Sequence, residues 1–406
     1  MRKRWPSSRM PPLRRSMICR PSSSARLTAA HSLSAGFSMS AVSSSAGFAI
    51  TSSIPAATTA DRCASTPTRG RCDAVKAHEE SSMEPLGVVL TAGLGTRLRP
   101  LTPGTPKPLV PLLNRPLIAY ALDLMRDLGM REVAVVTGPD DGRTREYVEA
   151  GAPRGLRVSV AVQHEPRGPG DAVASVGDAL DGRTVVVLAV DTVLTGVDRT
   201  LLDGLEASGA AAGLLLQSVE DPRAFGVAVL DGDRVVDLEE KPERPRSDLA
   251  LVGLWMLAPA AVERVRTDPY INAKGESDLT ATVAAMLAEG HEVRGWLLDG
   301  EWLDGGTLEG LLHAQSRLLA GTGEEVEVAA DAVVTASTLL GPAIVGAGAR
   351  VEASDLAGVV VGDGATLEGV TLRRALVAPG ATLRGGEYAD VVVTPAGEVC
   401  GPGVEG

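Results

Sequence analysis

Arg97, Arg99 and Lys107 follow the glycines Gly93 and Gly95, with no acid between them, in the stretch LGVVLTAGLGTRLRPLTPGTPKPLVP (86–111). Two glycines two apart let the backbone turn tightly and offer its N–H groups to a ligand, which a Cβ would obstruct. A glycine turn with three cations downstream suits a polyanion such as a nucleoside triphosphate. No G-K-[ST] closes the turn, so the pattern is not a P-loop. A second group, Gln163-His164-Glu165-Pro166-Arg167-Gly168, joins an amide, donor and acceptor at once, to a glycine ahead of Pro169 and Gly170. A third is Asp191, a carboxylate at the end of the apolar run 185–190. An acid there is costly unless paired, hydrogen-bonded or bound to metal. Each group also has a purely structural reading: a tight connection, a helix start, a turn cap.

These groups are held by a regular alternation of elements. The run 86–90 reads as a buried strand, and 118–129 as a helix with Leu122, Met125 and Leu128 on one face. A strand over 132–137, a helix over 143–150, a strand over 156–163, a helix over 170–180 and an apolar strand over 184–190 follow. Such βαβα order implies a mostly parallel sheet with helices on both faces. Ligands on such sheets gather at the carboxyl ends of the strands, where all three groups fall. Residues 211–257 are strand-rich, over 213–217, 225–230, 235–238 and 249–257.

The stretch AGLGTRLRPLTPGTPKPLVPLLNRPLI resembles the opening of the sugar-phosphate nucleotidyltransferases, or NDP-sugar pyrophosphorylases. The resemblance implies that the loop carrying Ala92, Gly93, Gly95 and Thr96 wraps the triphosphate. It also implies that Arg97 contacts phosphate and that Lys107 holds the phosphates being separated. The 163–172 segment is similar to the family's base-reading loop, which gives Gln163 the base and Gly168 the ring or ribose. Asp191 matches the Asp that holds magnesium, the implied cofactor, although Val190 replaces the usual Gly and could crowd the sugar or ribose. The sequences AFGVAVL, LEEKP and ALVGLW resemble sugar-binding inserts. They assign Gly226 to the sugar, Glu240 to its hydroxyls, Lys241 to its phosphate and Gly253 to the pocket wall. KGESDLT resembles R-G-E-x-E-[IL]-T, whose basic residue, here Lys274, binds phosphate. The next position of that pattern is expected to carry an Asp as second magnesium ligand. Here it is Ala281, with Asp278 three residues earlier on the same helix face. EWLDGGT then resembles a W-x-D-x-G-T element, followed by an amphipathic helix over 308–319.

The resemblance, spanning roughly 86–319, implies that a nucleoside triphosphate and a sugar 1-phosphate become an NDP-sugar and pyrophosphate. The Gln163 amide matches the O4/N3 edge of uracil or thymine, which favours dTTP or UTP, with glucose 1-phosphate as the sugar. The nearest substrate alternative is mannose 1-phosphate with GTP. Ala281 and Val190 motivate another, a catalytically weak sugar-nucleotide-binding regulatory subunit.

Beyond Gly323 the helical period ends. Apolar residues fall six apart in pairs: Val328 and Val334, Val345 and Val351, Val361 and Leu367, Val377 and Leu383. A six-residue repeat marks a left-handed parallel β-helix. The expected fold class is therefore α/β: a Rossmann-like, mostly parallel nucleotidyltransferase domain over 83–322, then a β-helix over 323–406. Some β-helices are acyltransferases that use a histidine, but the last histidine is His313. The repeat is thus read as a scaffold for homo-oligomer contacts or regulation.

The charge of the chain is lopsided. Residues 1–82 hold 12 of its 39 Lys/Arg and 4 of its 51 Asp/Glu, leaving 27 against 47 for the body. A body so acidic offers no continuous basic face, which argues against nucleic acid as a partner. No apolar run is long enough to span a bilayer, so no membrane partner is expected. Cys19, Cys63, Cys72 and Cys400 form neither a disulfide framework nor a zinc spacing, and a reducing, cytoplasmic setting is the default. The Ser-, Arg-, Ala- and Pro-rich tail over 1–82 reads as disordered, as a transit peptide, or as an extension upstream of a true start at Met83.

Overall fold

Strand β1 (Met83–Leu90) buries Leu86, Val88 and Val89 completely, because it lies between two parallel neighbours. In the computed structural model, residues 83–401 are described except for Pro100, Pro103, Gly104, Ala152 and Glu324. The readings of the 1–82 tail lie outside the described residues.

Strands β2 (Glu132–Thr137), β3 (Arg157–Val162) and β4 (Arg183–Ala189) join β1 in the parallel order β3-β2-β1-β4. Leu90 pairs with both Val136 and Ala189, so these strands end at one level and their following loops emerge along one edge. Side chains alternate between the sheet's two faces. Val186 and Leu188 of β4 pack with helix α1 (Leu117–Asp127), while Val185 and Val187 pack on the opposite side.

The remaining strands are β5 (Ala212–Ser218), β6 (Gly226–Asp231), β7 (Arg234–Glu240), β8 (Leu249–Leu257) and β9 (Val293–Leu297). They complete a nine-stranded sheet, β3-β2-β1-β4-β8-β5-β9-β7-β6. Here the expectation of a mostly parallel sheet is corrected. β8 runs antiparallel to both β4 and β5, and β7 is antiparallel to β6 and β9; only β5 and β9 pair in parallel. The reason is connection length. The two residues between β6 and β7 cannot make the dozen-residue crossover that a parallel pair needs. Gly232 sits there at φ +64°, in a hairpin turn. The single helix expected over 170–180 is two pieces, α2 (Pro169–Ala174) and a 3-10 turn over Gly177–Leu180, broken at Gly177 with φ +73°.

The last helix of this region, Leu308–Thr322, leads into two further sheets. One has seven strands, parallel except for its final pairing, and the other has four parallel strands. Register repeats every 16 residues from Val345 on, with Val345 on Val361, Val377 and Val393, and Val351 on Leu367 and Leu383; the first step is one residue longer, Val328 pairing with Val345 and Val334 with Val351. The six-residue pairs seen in the sequence therefore split, one member stacking in each sheet. The seven-stranded sheet is docked on the preceding α/β region. Asn114 Nδ2 donates to the Val361 carbonyl at 3.0 Å, and Gln315 Nε2 to that of Ala375 at 2.7 Å. Leu113, Leu318 and Leu319 pack on Ile344 and Val360.

Candidate functional site

The loop after β1 is fixed at its start by Thr91, whose N–H and hydroxyl both donate to the Val136 carbonyl. Gly95 then adopts φ +60°, and a Cβ there would lie 2.9 Å from Thr102 Cγ2 and 3.0 Å from Lys107 Cβ. Both the turn and the close approach of the Lys107 segment demand glycine. Ala92 is half-buried at the loop's base, Thr96 is exposed, and Gly93 faces open space. Leu98 is buried as an anchor, which leaves the Arg97 side chain 65% exposed.

Asp191 follows β4 by two residues. Val190 is buried in the main core cluster and does not line the cavity described below, whereas Asp191 does. Lys107 Nζ donates to Asp191 Oδ2 at 2.5 Å, with side chains only 13% and 14% exposed, and Arg97 Nη2 stands 3.8 Å from the same oxygen. Arg97, Lys107 and Asp191 thus meet at one point.

A second carboxylate joins them. The short strand Trp302–Asp304 pairs antiparallel with Thr192–Leu194, Asp304 opposite Thr192, and the Gly305 N–H donates to the Asp191 carbonyl at 2.7 Å. A Cβ on Gly306 would lie 2.5 Å from Asp191 Oδ2, 2.8 Å from Asp304 Oδ1 and 3.0 Å from Arg97 Nη2, so only glycine leaves this cradle open. Burial pushes the Asp304 carboxyl above its ordinary range; the Gly306 N–H opposes the shift, and the Asp191 charge adds to it. Among the described residues no cluster of three or more His, Cys, Asp or Glu is arranged around a common point. Two carboxylates still fit magnesium, a hard cation that takes few protein ligands beside water and phosphate oxygens.

The acid that stands beside Asp191 is Asp304, while Ala281, where the resemblance expects a carboxylate, lines the same cavity without one. Asp278, expected on the face of the helix, lies just ahead of it. It is the N-cap of the helix Leu279–Ala288, its Oδ1 accepting the Ala281 N–H at 2.9 Å.

Gln163 is 6% exposed, and its Nε2 donates to the Gly168 carbonyl and to Asp171 Oδ2, both at 2.9 Å. Gly168 has φ +94°, and a Cβ would meet the Ser277 carbonyl at 2.6 Å. The loop is stitched to the Lys274 segment by the Gly170 N–H on the Ser277 carbonyl and the Ser277 N–H on that of Arg167.

A cavity of about 1130 Å³ opens beyond Asp191 and Arg97. Gly226, Glu240, Lys241, Gly253 and Lys274 line it, while Lys107, Gln163 and Gly168 lie outside its wall. Glu240 Oε2 approaches to 3.2 Å of where a Gly226 Cβ would be, and Glu240 also pairs with Lys241. Gly253, at φ +78°, lies in an irregular stretch of β8, and a Cβ there would meet Thr192 Oγ1 at 2.5 Å. Lys274 is exposed on a turn whose N–H groups Asn272 Oδ1 caps. Asp304 and Asp171 are the residues that sequence reasoning missed. The first lay in plain view inside the W-x-D-x-G-T element.

The sequence model of the nucleotidyl transferase family matches residues 86–321. A glucose-1-phosphate thymidylyltransferase of Streptomyces antibioticus is 36% identical over 287 residues, covering 66% of this chain and 79% of that protein. A mannose-1-phosphate guanylyltransferase of Mycobacterium tuberculosis is 31% identical over 277 residues, covering 65% and 76%. Among solved structures, a Bacillus anthracis protein described as a glucose-1-phosphate thymidylyltransferase, in complex with a sucrose, superimposes with a TM-score of 0.53 at 27% identity. It covers 57% of this chain and 94% of that one.

Proposed function

Because this chain belongs to the nucleotidyl transferase family and is a sugar-1-phosphate nucleotidyltransferase, we propose that it joins dTTP or UTP to glucose 1-phosphate. The observation that carries this reading is that Arg97, Asp191 and Asp304, with Lys107 bonded to Asp191 behind them, share a cavity whose wall also carries Glu240, Lys241 and Lys274. A phosphate oxygen of the sugar phosphate attacks the α-phosphorus. The bond from that phosphorus to the β-phosphate oxygen breaks, and its electron pair leaves with pyrophosphate. The nucleophile is already an anion, so the step requires no proton transfer, and positioning and charge stabilisation do the catalysis.

Lys107 and Arg97 meet the departing phosphates, and the loop around Gly93 and Gly95 offers its N–H groups to the triphosphate. Lys241 and Lys274 hold the attacking phosphate, Glu240 orients the sugar hydroxyls over Gly226, and Gln163 meets the base. Asp191 and Asp304 are the pair that would hold magnesium, which when bound neutralises charge on the triphosphate and the leaving pyrophosphate. We read the two C-terminal sheets as sides of a left-handed parallel β-helix that supports contacts between copies of the chain. The 16-residue return of Val345, Val361 and Val377 supports the coil.

Pyrophosphate release with magnesium, over a panel of nucleoside triphosphates and sugar 1-phosphates, tests the assignment. Turnover is expected to be greatest with dTTP or UTP and glucose 1-phosphate. A maximum with GTP and mannose 1-phosphate moves the substrate to the guanylyl alternative, and no turnover with any pair overturns the reading.

A further inference from the structure

We propose that Asp171 is a positioning residue for base selection, locking the Gln163 amide so that an incoming base meets only its Oε1. The inference rests on the reading above that Gln163 faces the base. It begins from an accounting of hydrogen bonds. An amide nitrogen has two N–H donors, and those of Gln163 are both spent inside the protein, one on the Gly168 carbonyl and one on Asp171 Oδ2. Oε1 accepts no hydrogen bond among the described residues. Unlike Oε1 of Gln217 and Gln315, it is not sealed in the interior.

An ionised carboxylate only accepts, so the amide nitrogen must turn toward Asp171 and the amide oxygen away. The bond to the charged acceptor is also the stronger of the two that hold this orientation. The Gly168 carbonyl cannot adjust in compensation. Its loop is pinned to Ser277 through Gly170 and Arg167, and at Gly168 there is no room even for a Cβ. Gln163 thus presents a lone acceptor. Uracil, thymine and guanine carry a ring N–H at the centre of their pairing edge. Cytosine and adenine carry a ring lone pair there, which an acceptor repels. Asp171 therefore biases the site toward the first group, without touching the base.

The test uses the full chain and two measurements over dTTP, UTP, GTP, CTP and ATP: kcat/KM with glucose 1-phosphate, and nucleotide affinity by titration calorimetry. Asp171→Ala, which frees the amide to rotate, is expected to cut the preference for N–H-bearing bases over CTP and ATP by about tenfold. The change should lie in affinity and KM rather than in kcat. Asp171→Glu, which keeps a carboxylate, is expected to restore part of the preference. A uniform loss across all five nucleotides, with the ratios unchanged, overturns the inference and leaves Asp171 a structural residue. Ratios unchanged in Asp171→Ala, beside a wild type that turns over dTTP or UTP, defeat this inference alone. Nucleotide binding without any turnover defeats the transfer reading, while the affinity ratios still decide the role of Asp171. A wild type that binds no nucleotide defeats both.

Discussion

The nine-stranded sheet and the C-terminal sheets are built from the same small apolar residues, yet they treat the ends of their strands in opposite ways. In the first, β1, β3 and β4 end level, and each gives way to an irregular loop that carries Lys107, Gln163 or Asp191 to one edge. In the second, parallel strands pair in register at steps of 16 or 17 residues, valine often on valine, and charges lie outside in exposed pairs such as Arg384 with Glu368. Chemistry collects where a regular register stops. Where register simply repeats, every position is committed to its neighbour above and below.

If that division holds, substitutions in the two regions should separate activity from stability. The largest expected effect is at the cluster. Asp304→Asn should lower kcat for pyrophosphate release by roughly 10²- to 10³-fold, with an unchanged melting temperature. An activity within a few fold of wild type would remove Asp304 from the site. Next comes Leu367→Ala, which empties a fully buried place between Val351 and Leu383. It should destabilise by about 2–5 kcal/mol in denaturant unfolding while leaving kcat unaltered below the transition. A fall in kcat of the folded variant would show that the repeat does more than support. The smallest effect is expected at the seam. Asn114→Ala should cost about 1 kcal/mol by removing the bond to the Val361 carbonyl. Because Asn114 follows Lys107 by seven residues through a tight hairpin, a rise in the KM for nucleotide would show the two regions to be coupled there.

The parallel half of the main sheet was legible because its strands and helices alternate in period, and short apolar runs such as 184–190 are buried on both faces. The antiparallel half was not read as such, although Asp231-Gly232-Asp233 is a hairpin signal, because the regular βαβ order of the first half was extended beyond its reach. The 16-residue stack was visible in outline as pairs six apart. Asp278 illustrates the opposite case. Its spacing to Ala281 put the two on one helix face, but the helix begins after Asp278, and its carboxylate is spent on capping it.

The sequence by itself determined the order of the loops, the residue types in them and the need for glycine at Gly95 and Gly168, since these depend on local backbone freedom and side-chain chemistry. Only the tertiary structure decided which acid stands beside Asp191, which way the Gln163 amide faces, and that Val190 points inward. The first turns on a partner 113 residues along the chain, brought near by strand pairing; the second turns on Gly168 and Asp171, whose placement within one loop only the folded backbone fixes.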